Sequence, residues 1–505
     1  MPGTGLWRTK SVEQSISDTD EPDTKLRKNL TAWDLTVFGV AVVIGAGIFT
    51  LTARTAGDLA GPSVALAFVL AAIACGLAAL CYAEFASTVP VAGSAYTFSY
   101  ATFGEFVAWI IGWDLVLEFA VGAAAVGKGW SEYLQIVLGY VFGKGFSTTA
   151  TVFGLHVDWG ALLLIVVLAT LLTAGTKLSS RVSLVITGVK VAIVLFVIIY
   201  GLSFVKAENY SPFIPDPAPP TATSATGVDQ SLFSVLAGGA TSTYGVFGLL
   251  AAASLVFFAF IGFDVVATTA EETRNPQRAV PRGIFGSLAI VTVLYVAVSL
   301  VVVGMQPYTQ LATNAPPAGG KTLASAFAVN GADWAATIIS IGALAGLTTV
   351  VMVLMLGQTR VLFAMSRDGL LPRSLAKTNK FGTPGRTTIF VAILVGFAAT
   401  FFEAGQLLEM VNVGTLFAFI LVSAGVWVLR KRRPDLPRGF KVPWVPVIPI
   451  LAILACLWLM LNLSVLTWVR FLAWMVLGVV VYFVYSRRNS LLGKRMKDDA
   501  ENSVS

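Results

Sequence analysis

The chain has 505 residues, of which 56% are hydrophobic and only 12% charged, with a formal net charge of +7. A mean hydropathy of +0.81 excludes a soluble globule, because so few charges cannot cover so much apolar interior. The charges are clustered between long uncharged runs, so the positive balance reads as membrane topology and argues against a nucleic-acid partner.

Residues 1–30 are polar ("SISDTDEPDTKLRK") and lack the apolar core and cleavage site of a signal peptide, so they are expected to stay as a disordered tail. Twelve apolar runs follow. A bilayer core needs ~20 apolar residues per helix, and the runs lie at 35–59, 63–88, 105–127, 160–176, 182–205, 247–270, 283–305, 334–364, 388–402, 407–429, 445–463 and 467–486. The ninth is short, and Glu403, Gly405 and Gln406 separate it from the tenth. Residues 206–246 read as an outer linker rich in Pro, Ser, Thr and Ala, with a short helix at 230–238. The loop 305–333 is expected to carry short helical pieces, and 487–505 is a second tail.

With the first tail inside, 26 of the 34 Lys and Arg residues fall on the cytoplasmic side. This asymmetry predicts an even number of crossings with both ends in the cytoplasm. Cys75, Cys81 and Cys456 all sit in apolar runs, so no disulfide framework and no disulfide-linked partner are expected. His156, the single histidine, lies in an outer loop, which leaves no histidine relay or metal site within the membrane. No phosphate-binding glycine loop and no nucleophile–base constellation occurs, so neither ATP-driven pumping nor an enzyme is indicated, and no cofactor is implied.

Two runs carry interruptions at mid-membrane depth. The first contains "VVIGAGIFTL" (42–51), with Gly45 and Gly47 flanking Ala46; the sixth contains "LVFFAFIGFDVVATTAEE" (255–272), with Gly262 two residues before Asp264. Runs one and six are the first members of two five-span halves, and an odd number per half makes the halves antiparallel. Glycine breaks at matching places predict an inverted repeat with a substrate site at its centre. That divides the chain into a first repeat (31–205), an outer loop (206–246), a second repeat (247–430) and two accessory helices (431–486). Unwound backbone is tolerated at this depth only around a cavity or within protein. The amides freed there, at a half-helix N-terminus, suit a carboxylate, and the freed carbonyls suit an ammonium. An α-amino acid satisfies both.

Ionisable residues inside a membrane are usually functional. Lys190 sits near the middle of the fifth run; it can gain and lose a proton during a cycle, or snorkel toward the cytoplasm. Asp114 and Glu118 share a helix face in the third run. Glu118 serves a substrate or proton, or forms a structural pair with a hydroxyl or Lys128. Asp264 caps the next helical segment or contacts substrate. Glu84, Arg274 and Arg367 are candidates for a cytoplasmic gate of salt bridges, or for solvated helix ends. Thr348 and Thr349 offer a hydroxyl pair suited to sodium, although such hydroxyls most often bond their own helix.

"VVIGAGIF", "AEFASTVPVAGSAYTFSY" (83–100), "EETRNPQRAVPRGI" (271–284) and "QTRVLFAMSRDGLLP" (358–372) resemble signatures of the amino acid–polyamine–organocation superfamily, most of all its cationic amino acid transporter branch. The resemblance covers residues 30–486. It implies an all-α, twelve-helix leucine-transporter fold in the plasma membrane, with helices 1 and 6 unwound, importing an amino acid by alternating access. Carried over by position, the substrate carboxylate meets the amides near Gly45, Ala46 and Gly47, in the segment that also holds Ile44. The amine meets carbonyls of Val43, Phe258, Ala259 and Ile261, and Phe260 is a gate over the site. Relatives often have a hydroxyl residue where this chain has Ala46. A lysine at the place of Lys190 marks the proton-coupled members, so protons are the expected co-substrate, with sodium coupling or exchange as rivals. The branch suggests a cationic side chain on the substrate.

Overall fold

The computed structural model describes residues 8, 30–89, 94–143, 145–152, 155–175, 180–218, 227–238, 243–268, 273–313, 322–379 and 383–502. The apolar runs all form helices: α1 (Ala32–Val43), α2 (Val64–Thr88), α3 (Glu105–Phe142), α4 (Trp159–Thr173), α5 (Ser180–Gly201) and α6 (Gly245–Val256) in the first part. The second part holds α7 (Pro276–Met305), α8 (Asp333–Arg367), α9 (Gly385–Phe401), α10 (Ala404–Arg432), α11 (Val447–Leu461) and α12 (Val465–Val481).

Local chemistry sets several starts. At α1, Thr31 and Asp34 form a reciprocal capping box, each side chain accepting from the other's backbone N–H. The Asp158 carboxylate opens α4 by accepting from Ala161 N at 2.9 Å.

Among the described residues, eight helical stretches are long and apolar enough to cross a membrane; the first, Ala32–Thr88, contains two of the expected runs. Helices α4, α9 and α11 are shorter apolar helices of 15–17 residues. Large apolar side chains such as Leu184, Ile199, Ile393, Phe397, Leu472 and Val480 lie exposed on the outside of the bundle. That is the inverse of a water-soluble surface and fits a multi-pass membrane protein.

At the centre, α3 packs most extensively on α8 and α10, and α7 packs on α1 and α2. Small residues let the backbones approach: a side chain at Gly283 would strike Leu35, and one at Gly39 would strike Ser287. Short helices occur at Leu232–Leu236, Tyr308–Leu311 and Leu323–Val329, within the loops expected to hold them.

Three expectations need correction. An antiparallel hairpin, Thr149–Val152 with Leu155–Asp158, joins α3 to α4 and interrupts the all-α pattern. The second tail is helical over α13 (Leu491–Asn502), because its start is tied down: Leu491 N donates to Asp368 O at 3.1 Å. The expected disorder of residues 1–30 falls outside the described residues, save Arg8 and Leu30. Arg8 reaches the buried Glu105 at 3.4 Å, and Tyr100, Tyr482 and Ser490 donate to the same carboxylate. Both chain ends therefore meet at the start of α3.

The third correction concerns Glu84. Its partners are neither Arg274 nor Arg367. Arg430 forks onto both its oxygens (2.7 and 2.5 Å), Arg438 approaches at 3.4 Å, and Val442 N donates at 2.7 Å. The Arg274 amide instead pairs with Leu30 O at 3.0 Å, and Arg367 closes α8. Several arginines lie far from Glu84 in the chain, and only helix packing selects Arg430, 346 residues away. Removing one member of a buried ion pair costs about 3 kcal/mol or more. Glu84→Ala is therefore expected to lower the melting temperature of the detergent-solubilised protein by several degrees, and a melt unchanged from wild type would remove this role.

Candidate functional site

Both glycine-interrupted helices are broken where they meet. Helix α1 stops at Val43; Ile44 is extended (φ −68°, ψ 96°), and the chain re-enters a wide helical turn at Gly47–Leu51. Helix α6 tightens to a 3-10 turn at Phe257–Phe260; Ile261 is extended (φ −63°, ψ 135°), and Gly262 takes φ +117°, which favours glycine. The helix resumes at Val265–Thr268.

The breaks touch through backbone. A Cβ on Gly47 would fall 2.3 Å from the Ala259 Cα, and one on Gly262 would fall 2.8 Å from Val42 Cγ1. At Gly45 the nearest atom is a Val350 methyl, 3.1 Å away.

Side chains from neighbouring helices satisfy the freed carbonyls. An unbroken helix would pair the Ala41 carbonyl with the amide of residue 45. Here it accepts the Lys190 Nζ at 2.8 Å, from α5. The Val43 carbonyl accepts the Tyr295 hydroxyl at 2.7 Å, from α7, and the Phe49 carbonyl accepts Tyr133 at 2.6 Å, from α3. At the second break, Asn412 of α10 donates to Ser254 O at 2.7 Å, and the Asp264 carboxylate accepts from Gly262 N at 3.2 Å. Lys190 is 1% exposed, so it does not snorkel to either face.

A cavity of about 30 Å³ lies between the breaks. The first break lines it with Val43, Gly45, Ala46 and Gly47, and the second with Phe258, Ile261, Gly262 and Asp264. Helix α3 adds Glu118, Phe119, Gly122 and Val126, while α8 adds Val350 and Leu354 and α10 adds Val411. That volume holds a water-sized occupant, so an amino acid must push the walls apart to enter.

Of the residues singled out from sequence, the structure gathers Val43, Gly45, Ala46, Gly47, Glu118, Phe258, Ile261 and Asp264 on this one cavity. Ile44 is buried with its N–H on Val40 O, and Ala259 is the contact point between the breaks. Phe260 does not cover the cavity. It packs behind the break, against Phe68 and Tyr295 with ring centroids 6.3 and 5.4 Å apart. In a 3-10 turn of three residues per turn, Phe258 and Phe260 point about 120° apart around the axis, and Phe258 is the aromatic that reaches the space. Glu118 is adjacent to the Thr415 hydroxyl rather than to a cation. Thr348 and Thr349 donate to Leu344 O and Gly346 O of their own helix, each at 2.7 Å.

The sequence does not place the individual residues of the apolar wall from α3, α8 and α10. No polar residue marks it, and only the packing of three distant helices brings Phe119, Val350 and Val411 together.

Comparison with known proteins agrees with this architecture. The amino acid permease family model matches residues 30–485. The chain is 44% identical to the branched-chain amino acid permease BcaP of Bacillus subtilis, covering 97% of this chain and 99% of that one. It is 41% identical to the methylthioribose transporter of the same organism, with the same coverage. It is 36% identical to the vacuolar cationic amino acid transporter 4 of Arabidopsis thaliana, over 85% of this chain and 68% of that one. The chain belongs to the amino acid permease family of the amino acid–polyamine–organocation superfamily. It is a transporter and not an enzyme.

The Gly47–Ala259 contact gives a graded test. Overpacking a tight backbone contact costs about 1–3 kcal/mol, enough for about a tenfold loss of uptake in Gly47→Ala. Gly45→Ala meets only a movable methyl and is expected to lose far less. Equal uptake by the two variants in proteoliposomes would contradict the role given to this contact.

Proposed function

We propose that this permease imports an L-amino acid together with a proton across the plasma membrane. In this reading all twelve helices cross the bilayer, with both chain ends cytoplasmic. Spans 1–5 and 6–10 form two inverted halves around the cavity. The observation that carries the reading is the pair of breaks meeting at one small cavity. The substrate carboxylate lies against the amides of Gly45, Ala46 and Gly47. Its ammonium faces the carbonyl side of the second break, with Glu118 beside it.

The substrate side chain points into the wall formed by Phe119, Val126, Val350, Leu354 and Val411. That wall offers no partner to a guanidinium or a second ammonium, so an aliphatic side chain fits better than the cationic one the resemblance suggested. A relative named as a branched-chain amino acid permease supports this choice. A second reading, a neutral thioether sugar, rests on the similarity to the methylthioribose transporter.

Lys190 couples the proton. Its Nζ holds the Ala41 carbonyl just before the first break, so the charge on this amine acts directly on the segment that must move. A lysine in this position, with both threonine hydroxyls committed to their own helix, favours protons over sodium.

The test is a thermal-shift screen of the purified protein against leucine, isoleucine, valine, lysine, arginine, methylthioribose and putrescine, followed by uptake in proteoliposomes. The aliphatic amino acids are expected to stabilise the protein, by about 2.7 kcal/mol at a hundredfold excess over Kd. An inward proton gradient is expected to drive leucine uptake, and Lys190→Met to abolish that drive. Stabilisation by lysine and arginine alone would overturn the aliphatic assignment. Gradient-driven uptake by Lys190→Met equal to wild type would overturn the coupling role.

A further inference from the structure

Asp114 has no role in the cavity or in either break, and its surroundings are unusual. It is fully buried, and among the described residues neither carboxylate oxygen has a hydrogen-bond partner. It lies on α3 one turn from Glu118, about 6 Å along the axis, on the side nearer the chain ends. Glu118 is the titratable group that acts on it. From α10 it faces Gly414, where a Cβ would sit 2.8 Å from its Oδ1. Helices α8 and α10, which pack hardest on α3, bring it no cation among the described residues.

Glu118 in turn shares the cavity lining with Asp264 and pairs with the Thr415 hydroxyl. Asp264 and Glu118 thus both face the cavity, and Asp114 lies one turn of α3 from Glu118 toward the end of the helix where both chain ends meet, all three carboxyl groups being buried. The buried Lys190 is engaged with Ala41 O. One helix, α10, meets the cavity and both α3 carboxyl groups: Val411 lines the cavity, Thr415 is at Glu118 and Gly414 is at Asp114.

We propose that Asp114 holds a transported proton between Glu118 and the cytoplasm. This rests on the proton-coupled import proposed above. An ionised carboxylate with no donor or cation around it is heavily penalised, whereas a neutral carboxyl group tolerates the same place. In the closed state Asp114 carries the proton. When α10 moves and the cytoplasmic side opens, water reaches the carboxyl group and the proton leaves to it. The carboxylate that remains takes the proton of Glu118 as the site closes, and Glu118 is refilled from the cavity on the next cycle. One proton enters and one leaves per turn.

The test compares wild type with Asp114→Asn, which keeps shape but carries no exchangeable acid. In proteoliposomes, leucine uptake driven by an inward proton gradient is expected to fall about tenfold or more. Leucine–leucine exchange at equal pH on both sides is expected to stay within about twofold of wild type, because exchange needs no net proton release. An infrared spectrum at neutral pH is expected to show a protonated carboxyl C=O band in wild type that the variant lacks. That measurement stands even if the variant transports nothing. Gradient-driven uptake unchanged in the variant, exchange lost together with net uptake, or identical carboxyl bands would each overturn the assignment. A wild type that ignores the gradient would instead overturn proton coupling itself.

Discussion

Main-chain polar groups have no water to turn to inside a bilayer, and that constraint organises the molecule. Breaking two helices at mid-depth frees carbonyls and amides that must find partners in protein. Lys190, Tyr295, Tyr133, Asn412 and the Asp264 carboxylate supply them, each from a different helix or from the broken turn itself. The breaks are therefore held open by side chains on α5, α7, α3 and α10. The same side chains report on the breaks: a change in any of those helices alters what the unwound backbone can offer a ligand.

Packing around this centre is divided by stiffness. Helix α3 is fixed at its start by the Glu105 cluster, where both chain ends converge, and along its length by α8 and α10. The Glu84–Arg430–Arg438 group ties the end of α2 to the end of α10 and the segment after it. The broken halves of spans one and six lie between these braced helices and meet at a backbone contact that excludes any side chain at Gly47. The cavity between them is correspondingly small, about 30 Å³. Ligand entry has to be accompanied by movement of these segments or of α10.

How much of the site could be read in advance depends on the kind of signal each residue carries. Gly45, Gly47 and Gly262 are conspicuous because glycine weakens a buried helix, and a weakened helix in an apolar run needs a reason. Lys190, Glu118 and Asp264 are conspicuous because charge in such a run is costly. Phe260 illustrates the limit. An aromatic next to a break looks like a lid, but its angular place in a 3-10 turn decides whether it faces the cavity, and here Phe258, two residues earlier, does. Glu84 illustrates another: its charge announced an ion pair, yet nothing local could show that the partner lay on α10.

Composition and the placement of charge along the chain determined the helical membrane architecture, the two interruptions and the short inventory of buried ionisable groups. These are properties of single segments in a solvent that cannot satisfy backbone or charge. Tertiary structure alone decided which side chain serves which freed carbonyl, which arginine meets Glu84, and that Phe119, Val350 and Val411 close one side of the cavity. Each of those depends on the rotation and depth of helices far apart in the chain, and apolar periodicity leaves both free until the bundle packs.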